Sequence, residues 1–290
     1  KLQSYTPEKY ASSINKERLD RVGQFSLTKQ EHISLSEYTK SLGIGFFSTP
    51  LSEDWVSIIS EIGDAIKIAS GDIDFFPVIE ESAKTNLPII LSTGCSEINE
   101  IDKAVSAISK YRNNISENVA LLHCISQYPA SLEECNLKSI DFLRDRYKLT
   151  VGWSNHVIGP LACYAAVARG ASIIEVHVTD NRDNRDFRDH DLSFEYNELS
   201  ILSENLSSLK KSLGNYEKKP TLDELKIKNE IRKGVVAARD IEFNTILSRK
   251  DLAFARPAHG FKSYEINDLV GKKMKQKIVK GEIFLDRHFN

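Results

Sequence analysis

VGWSNHVIGP, residues 151–160, is the stretch on which the fold turns. A short apolar run passes straight into Trp153, Ser154, Asn155 and His156, and Gly159-Pro160 then cuts it off. The run is too short and too continuously apolar for a half-exposed strand, and it has the character of a parallel strand covered on both faces. Polar residues at its end and a proline near the start of the next helix suit a strand that feeds a βα turn.

The same pattern recurs along the chain. GIGFFST (43–49), AIKIAS (65–70), LPIILST (87–93), NVALLHC (118–124), LTVGWS (149–154) and ASIIEVHVT (171–179) all read as buried strands. Helical stretches lie between them. SEDWVSIISEIG (52–63) opens on Ser52 as an N-cap, SEINEIDKAVSAISKY (96–111) on Ser96 with Glu97 and Glu100 in its first turn, and GPLACYAAVARG (159–170) runs from an early Pro to a closing Gly. KLQSY at 1–5 reads as the tail of a strand, so the chain is expected to begin inside its fold. Counting that tail gives seven βα units over roughly 210 residues, close to the eight in roughly 250 of a (β/α)8 barrel. The expected class is therefore α/β, a TIM barrel lacking its first βα unit. A doubly wound sheet is the alternative, but its usual GxGxxG loop occurs nowhere in the sequence.

The character changes after the amphipathic stretch 192–214. Residues 214–229 are polar and contain Pro220, which suggests a linker between a barrel domain at 1–213 and a small β-rich domain at 230–290. Within the latter, DIEFNTIL (240–247) and KIVKGEIF (277–284) form a weak internal repeat, with Ile at the second place and a turn residue, Asn244 or Gly281, at the fifth.

Composition narrows the function classes. A chain of 290 residues with 41% hydrophobic and 28% charged residues and a formal net charge of −2 carries no electrostatic footprint for nucleic acid or membrane. No signal-peptide pattern and no apolar run of 18 residues is present. Cys95, Cys124, Cys135 and Cys163 follow no metal or disulfide spacing. The expectation is a reducing, cytoplasmic location and a small-molecule ligand.

In a barrel of this kind chemistry sits where strands finish. Those ends carry Lys1 and Gln3; Ser48 and Thr49; Lys67, Ser70 and Asp72; Ser92 and Thr93; His123, Ser126, Gln127 and Tyr128; Ser154, Asn155 and His156; and Glu175, His177 and Asp180. His156 and His177, on neighbouring strands, form a candidate metal pair, although a strand-end histidine also serves as a satisfied structural residue. Two nitrogens completed by oxygens suit Mn²⁺ or Mg²⁺ better than a closed zinc site. Glu175 shares a face with His177 by alternation, so it either orients that imidazole or is paired within the barrel. Lys1, Lys67, Ser70, Ser92 and Ser154 would make a ring of donors for a phosphate.

KLQ, FFSTP, KIASGDI, PIILSTG, LLHCISQYP, GWSNH, IIEVHVT and RDHDLS occur in an order that resembles the sialic acid (N-acetylneuraminate) synthase family. VVAARDI, FARPAHG and LVGKK in the tail resemble the antifreeze-like, or SAF, domain that accompanies those synthases. The resemblance implies condensation of phosphoenolpyruvate with an N-acylated amino sugar such as N-acetylmannosamine, giving a nine-carbon 2-keto-3-deoxy sugar acid and phosphate. It implies His156 and His177 as ligands of Mn²⁺ or a similar ion. Lys1, Lys67, Ser92 and Ser154 match positions that hold phosphoenolpyruvate, with Thr49, Ser70 and Ser126 added from the strand ends. Gln3, Asp72, Tyr128 and Asp189 match the sugar pocket, the last three as the expected catalytic set. Arg256 matches an arginine that reaches the N-acyl group from the partner subunit of a domain-swapped homodimer.

There are departures from the pattern. Asn155 stands where Asp is common, Leu51 where Phe often follows Thr-Pro, and the loop RDNRDFRDH replaces a Pro-Gly-Pro segment. The family's first strand would precede Lys1, so a fragment of a longer gene product is expected rather than a natural seven-unit barrel. The alternatives to the synthase reading are a truncated, non-catalytic sugar or phosphoenolpyruvate binder, a legionaminic- or pseudaminic-type synthase with a different acceptor, and a metal-dependent pyruvate aldolase.

Overall fold

A computed structural model describes residues 3–10, 16–185, 187 and 189–289. Lys1, expected at the phosphate site, lies outside the described residues. The chain divides into two compact units, Lys1–Gly214 and Asn215–Asn290.

The first unit is a seven-stranded parallel sheet with strands in chain order: β1 (Gln3–Ser4), β2 (Phe47–Pro50), β3 (Ala65–Ile68), β4 (Ile89–Ser92), β5 (Val119–Cys124), β6 (Thr150–Ser154) and β7 (Ile174–Glu175). This is the barrel-type order expected from the apolar runs. Helices α1 (Pro7–Tyr10), α2 (Lys16–Gly23) and α3 (Lys29–Ser41) connect β1 to β2. Then α4 (Glu53–Ile62), α5 (Phe76–Lys84), α6 (Ile98–Ser109), α7 (Ser139–Tyr147) and α8 (Leu161–Ala168) alternate with strands, before α9 (Asp189–Leu192) and α10 (Tyr196–Leu213). Ile68, Leu91, Leu121, Val151 and Trp153 lie on the helix side of the sheet and join the α6, α7 and α8 residues in one buried cluster. Continuous apolar strands are the sequence signature of this two-sided burial.

Register fixes which side chains share a face. Gln3 pairs Thr49, Lys67 pairs Ile90, Ser92 pairs Leu122, Cys124 pairs Ser154, and Ser154 pairs Glu175. Paired residues of a parallel ladder lie on the same face and alternate along each strand, so Gln3, Thr49, Lys67, Ser92, Ser154 and Glu175 all point away from the helices. Gly152 sits on that inner face, where a Cβ would lie 2.6 Å from both Ile173 O and a Leu122 methyl. Only glycine lets the last two strands approach so closely there.

Two local expectations are corrected, and a third holds in position but not in bonding. Ser52 stands at the N-cap position of α4, but its hydroxyl makes no capping bond. The N-cap of α6 is Glu97 rather than Ser96, with Glu97 N donating to Glu100 Oε2 at 2.7 Å, while Ser96 Oγ bonds Gly94 O instead. The stretch 171–179 forms only a two-residue strand, because β7 is bonded to β6 alone among the described strands and departs after Glu175. His177 therefore follows the strand rather than ending it.

The second unit begins with α11 (Leu222–Ile231), which occupies part of the stretch expected to be linker and is held at its start by a Thr221–Glu224 capping box. Strands β8 (Gly234–Ala237) and β9 (Leu252–Ala255) pair antiparallel, and α12 (Ile266–Leu269) follows. The weak repeat has a structural counterpart. Ile241 and Ile278 exchange backbone hydrogen bonds of 2.8 and 3.0 Å and both are fully buried. Their equivalent turn residues, Asn244 and Gly281, both take left-handed backbone, with φ of 67° and 83°. Lys272 lies over Phe261 and Phe289, 5.1 Å from each ring centre. No described helix of either unit is long and apolar enough to cross a membrane.

Candidate active site

The inner face ends in a polar floor. Lys67 is 1% exposed, and its Nζ lies 3.3 Å from Glu175 Oε2. Ser154 Oγ donates to Glu175 Oε1 at 2.7 Å, so one carboxylate ties β6 to the buried ammonium of β3. Glu175 is thus paired within the barrel through Lys67 and Ser154. Asp189 Oδ2 lies 3.6 Å from His177 Nδ1. Breaking a buried pair of this kind by removing one partner is costly, since it strands a charge. Thr49 Oγ1 and Ser92 Oγ, on the same face and each 1% exposed, have no hydrogen-bond partner among the described residues. Hydroxyls left in this way are what a small anion or an ordered water would satisfy.

Above the floor is a cavity of about 640 Å³. Gln3, Ser70, Asp72, Ser126, Tyr128, His156 and Asp189 line it, so seven of the sequence-derived residues converge there. Thr49, Lys67, Ser92 and Ser154 are buried at the strand ends rather than in its wall. Asp72 is brought in by a short turn at Ser70–Asp72 that follows β3 directly. Asp189 opens α9.

His156 Nδ1 donates to Ile125 O at 2.6 Å, so in the neutral imidazole the lone pair is on Nε2. Its ring lies 4.0 Å from Tyr128 and 5.3 Å from His177, centroid to centroid. The two imidazoles are thus neighbours, as their strand positions imply. Among the described residues no group of three or more His, Cys, Asp or Glu side chains gathers to hold a metal. The donor set fits a divalent ion bound by two nitrogens with its remaining positions open to water or substrate oxygens, and it does not fit a closed structural site.

Not every strand-end polar residue belongs here. His123 is 8% exposed on the helix side, where Nε2 bonds Cys135 O at 2.7 Å and the ring lies 5.2 Å from Trp153. Burial pushes its imidazole below the ordinary histidine range. Asn155 is also turned outward: its Oδ1 accepts from Trp153 Nε1 at 3.0 Å and its Nδ2 donates to Val157 O at 2.8 Å. An amide can do both, whereas a carboxylate in its place would have no proton for the carbonyl. Arg256 lies in the second unit, exposed, with Nε donating to Ile231 O at 2.6 Å.

Lys9, Phe75, Cys95 and Phe187 also line the cavity and were not singled out from the sequence. Lys9 is held by Asp54 at 2.9 Å. None belongs to a strand end, so a search confined to strand ends passes over them. Leu51, noted as a departure, forms part of the same wall.

The NeuB family model matches residues 1–218 and the SAF domain model residues 232–290. N,N'-diacetyllegionaminic acid synthase of Campylobacter jejuni is 37% identical over 268 residues, covering 92% of this chain and 80% of that protein. N-acetylneuraminate-9-phosphate synthase of Drosophila melanogaster is 30% identical over 285 residues, covering 89% and 75%. The crystal structure of N-acetylneuraminic acid synthetase from Leptospira borgpetersenii, in complex with citrate, superposes with a TM-score of 0.72 at 34% identity and covers 77% of each chain. With an α/β sheet in barrel order, a polar cavity at its strand ends and these matches over most of its length, the chain belongs to the NeuB family and carries a SAF domain after the barrel unit.

Proposed function

We propose that the chain condenses phosphoenolpyruvate with an N-acylated amino sugar. C3 of the enolpyruvate bonds to the sugar's aldehyde carbon, a water oxygen adds at C2, and the C2–phosphate linkage breaks to release inorganic phosphate and a 2-keto-3-deoxy acid. The observation that carries this reading is the buried Lys67–Glu175–Ser154 network beneath a polar cavity. It supplies a fixed cation, while Thr49 and Ser92 offer hydroxyls for phosphate and carboxylate oxygens. A pre-ordered cradle of this kind costs no reorganisation when charge moves onto the leaving phosphate.

His156 and His177 would hold a divalent ion, which when bound polarises the aldehyde oxygen. Asp72, Tyr128 and Asp189 line the cavity where the sugar hydroxyls would lie, and Asp189 sits beside His177 to accept or relay a proton. Under the same reading Arg256 contacts the acceptor's N-acyl group from the partner subunit of a homodimer.

A second acceptor class has its own support. Leu51, Phe75 and Phe187 give the cavity an apolar wall, which suits a deoxygenated or doubly N-acylated sugar better than the more polar N-acetylmannosamine. One experiment serves both readings: Mn²⁺-dependent phosphate release from phosphoenolpyruvate with a panel of mono- and di-N-acylated sugars. Release that requires an acceptor is the expected result, and the preferred sugar identifies the class. Acceptor-independent release, or none with any sugar, would overturn the synthase reading.

A further inference from the structure

Gly94 follows β4, between the ends of β3 and β5, and is buried where three side chains from those neighbours meet. A Cβ placed on it would lie 2.4 Å from Ser126 Oγ, 2.9 Å from Ser70 Oγ and 3.0 Å from Cys124 Sγ. Real Cβ atoms essentially never come as close as the first two, so the serine hydroxyls occupy the space a side chain at 94 would take. Gly94 N also donates to Ser70 Oγ at 3.0 Å, and Ser96 Oγ donates back to Gly94 O at 3.2 Å, which pins the loop in place. Ser70 Oγ in turn lies 3.7 Å from Cys124 Sγ, and that thiol is 3.8 Å from His156 Nδ1.

We propose that Gly94 is a positioning residue: its missing side chain sets the gap across which the Ser70 and Ser126 hydroxyls converge in the cavity, and so fixes the donors presented to the anionic substrate. This inference rests on the reading of the cavity as a phosphoenolpyruvate site. The groups a new Cβ would strike are short side chains rather than backbone, so the chain can yield by rotating Ser126 and Ser70 out of the cavity. Folding survives that rotation, but the hydroxyl geometry and the Gly94 N to Ser70 Oγ bond do not.

Gly94→Ala should raise the phosphoenolpyruvate KM, and the Kd from equilibrium titration, at least tenfold. The kcat should stay within threefold, and far-UV circular dichroism and melting temperature should be close to wild type. Ser70→Gly together with Ser126→Gly removes both hydroxyls in contact, so adding Gly94→Ala to that background should cost no more than threefold further. A KM and Kd within twofold of wild type in Gly94→Ala, or the same tenfold cost in both backgrounds, would overturn the assignment. So would a variant whose only changes are a lower kcat and a lower melting temperature. If wild type itself binds no phosphoenolpyruvate, the functional reading falls and the Gly94 assignment with it; normal binding by both proteins overturns the Gly94 assignment alone.

Discussion

Strand β6 has two faces that end within a few residues of each other and carry similar residue types to opposite ends. On the helix side Trp153, Asn155 and the neighbouring His123 satisfy one another and nearby backbone carbonyls, leaving a closed set. On the inner side Ser154 joins Glu175 and Lys67, and His156 turns a ring edge toward a cavity. Both faces are buried and polar. What separates them is that the outer set closes on itself and on backbone carbonyls, whereas the inner set adjoins a polar cavity and the Thr49 and Ser92 hydroxyls, which have no hydrogen-bond partner among the described residues.

The sharpest way to break this comparison is on the inner face. Lys67→Met should lower kcat/KM for phosphoenolpyruvate on the order of 10³-fold, the scale of losing a fixed donor to developing charge. Steady-state phosphate release checks it. The outer face should fail differently: Trp153→Ala, which empties a fully buried site, should cost about 3–5 kcal/mol of unfolding free energy in a denaturant titration. Asn155→Leu leaves the Trp153 indole N–H and the Val157 carbonyl without partners, at about 2 kcal/mol. Its kcat should change less than its stability.

The smallest effect is one of pH. Burial depresses the His123 pKa, so the folded protein binds fewer protons than the unfolded chain between that depressed value and the ordinary one near 6.5. That stability is present above pH 6.5 and is lost as pH falls below it. Melting temperature should therefore drop between pH 7 and pH 5, and His123→Gln should flatten that limb. His288, also depressed by burial, contributes with the same sign, so the slope should be reduced rather than abolished.

The strands were legible because each is a continuous apolar run, and a run covered on both faces needs no alternation to be recognised. The strand within 171–179 is shorter than its Ile and Val content implies, because its length depends on neighbours. Helix α3 has no counterpart among the helical stretches read from the sequence, and its buried residues are His32 and Ser36, which composition does not mark as core. At the site, reading each strand end as one polar cluster mixed two faces. Parity along β5 and β6 separates His123, Trp153 and Asn155 from Cys124, Ser154 and His156, and that signal was available in the sequence. The convergence of Lys9, Phe75, Cys95 and Phe187 on the cavity was not, because a one-turn helix and short connections have no period to read.

Calorimetric titration of phosphoenolpyruvate in the presence of Mn²⁺ tests the two-face account most directly. Saturable binding to wild type and to His123→Gln, with no measurable binding to Lys67→Met, is the predicted outcome. Equal binding by Lys67→Met and wild type, or equal loss in His123→Gln and Lys67→Met, would contradict it.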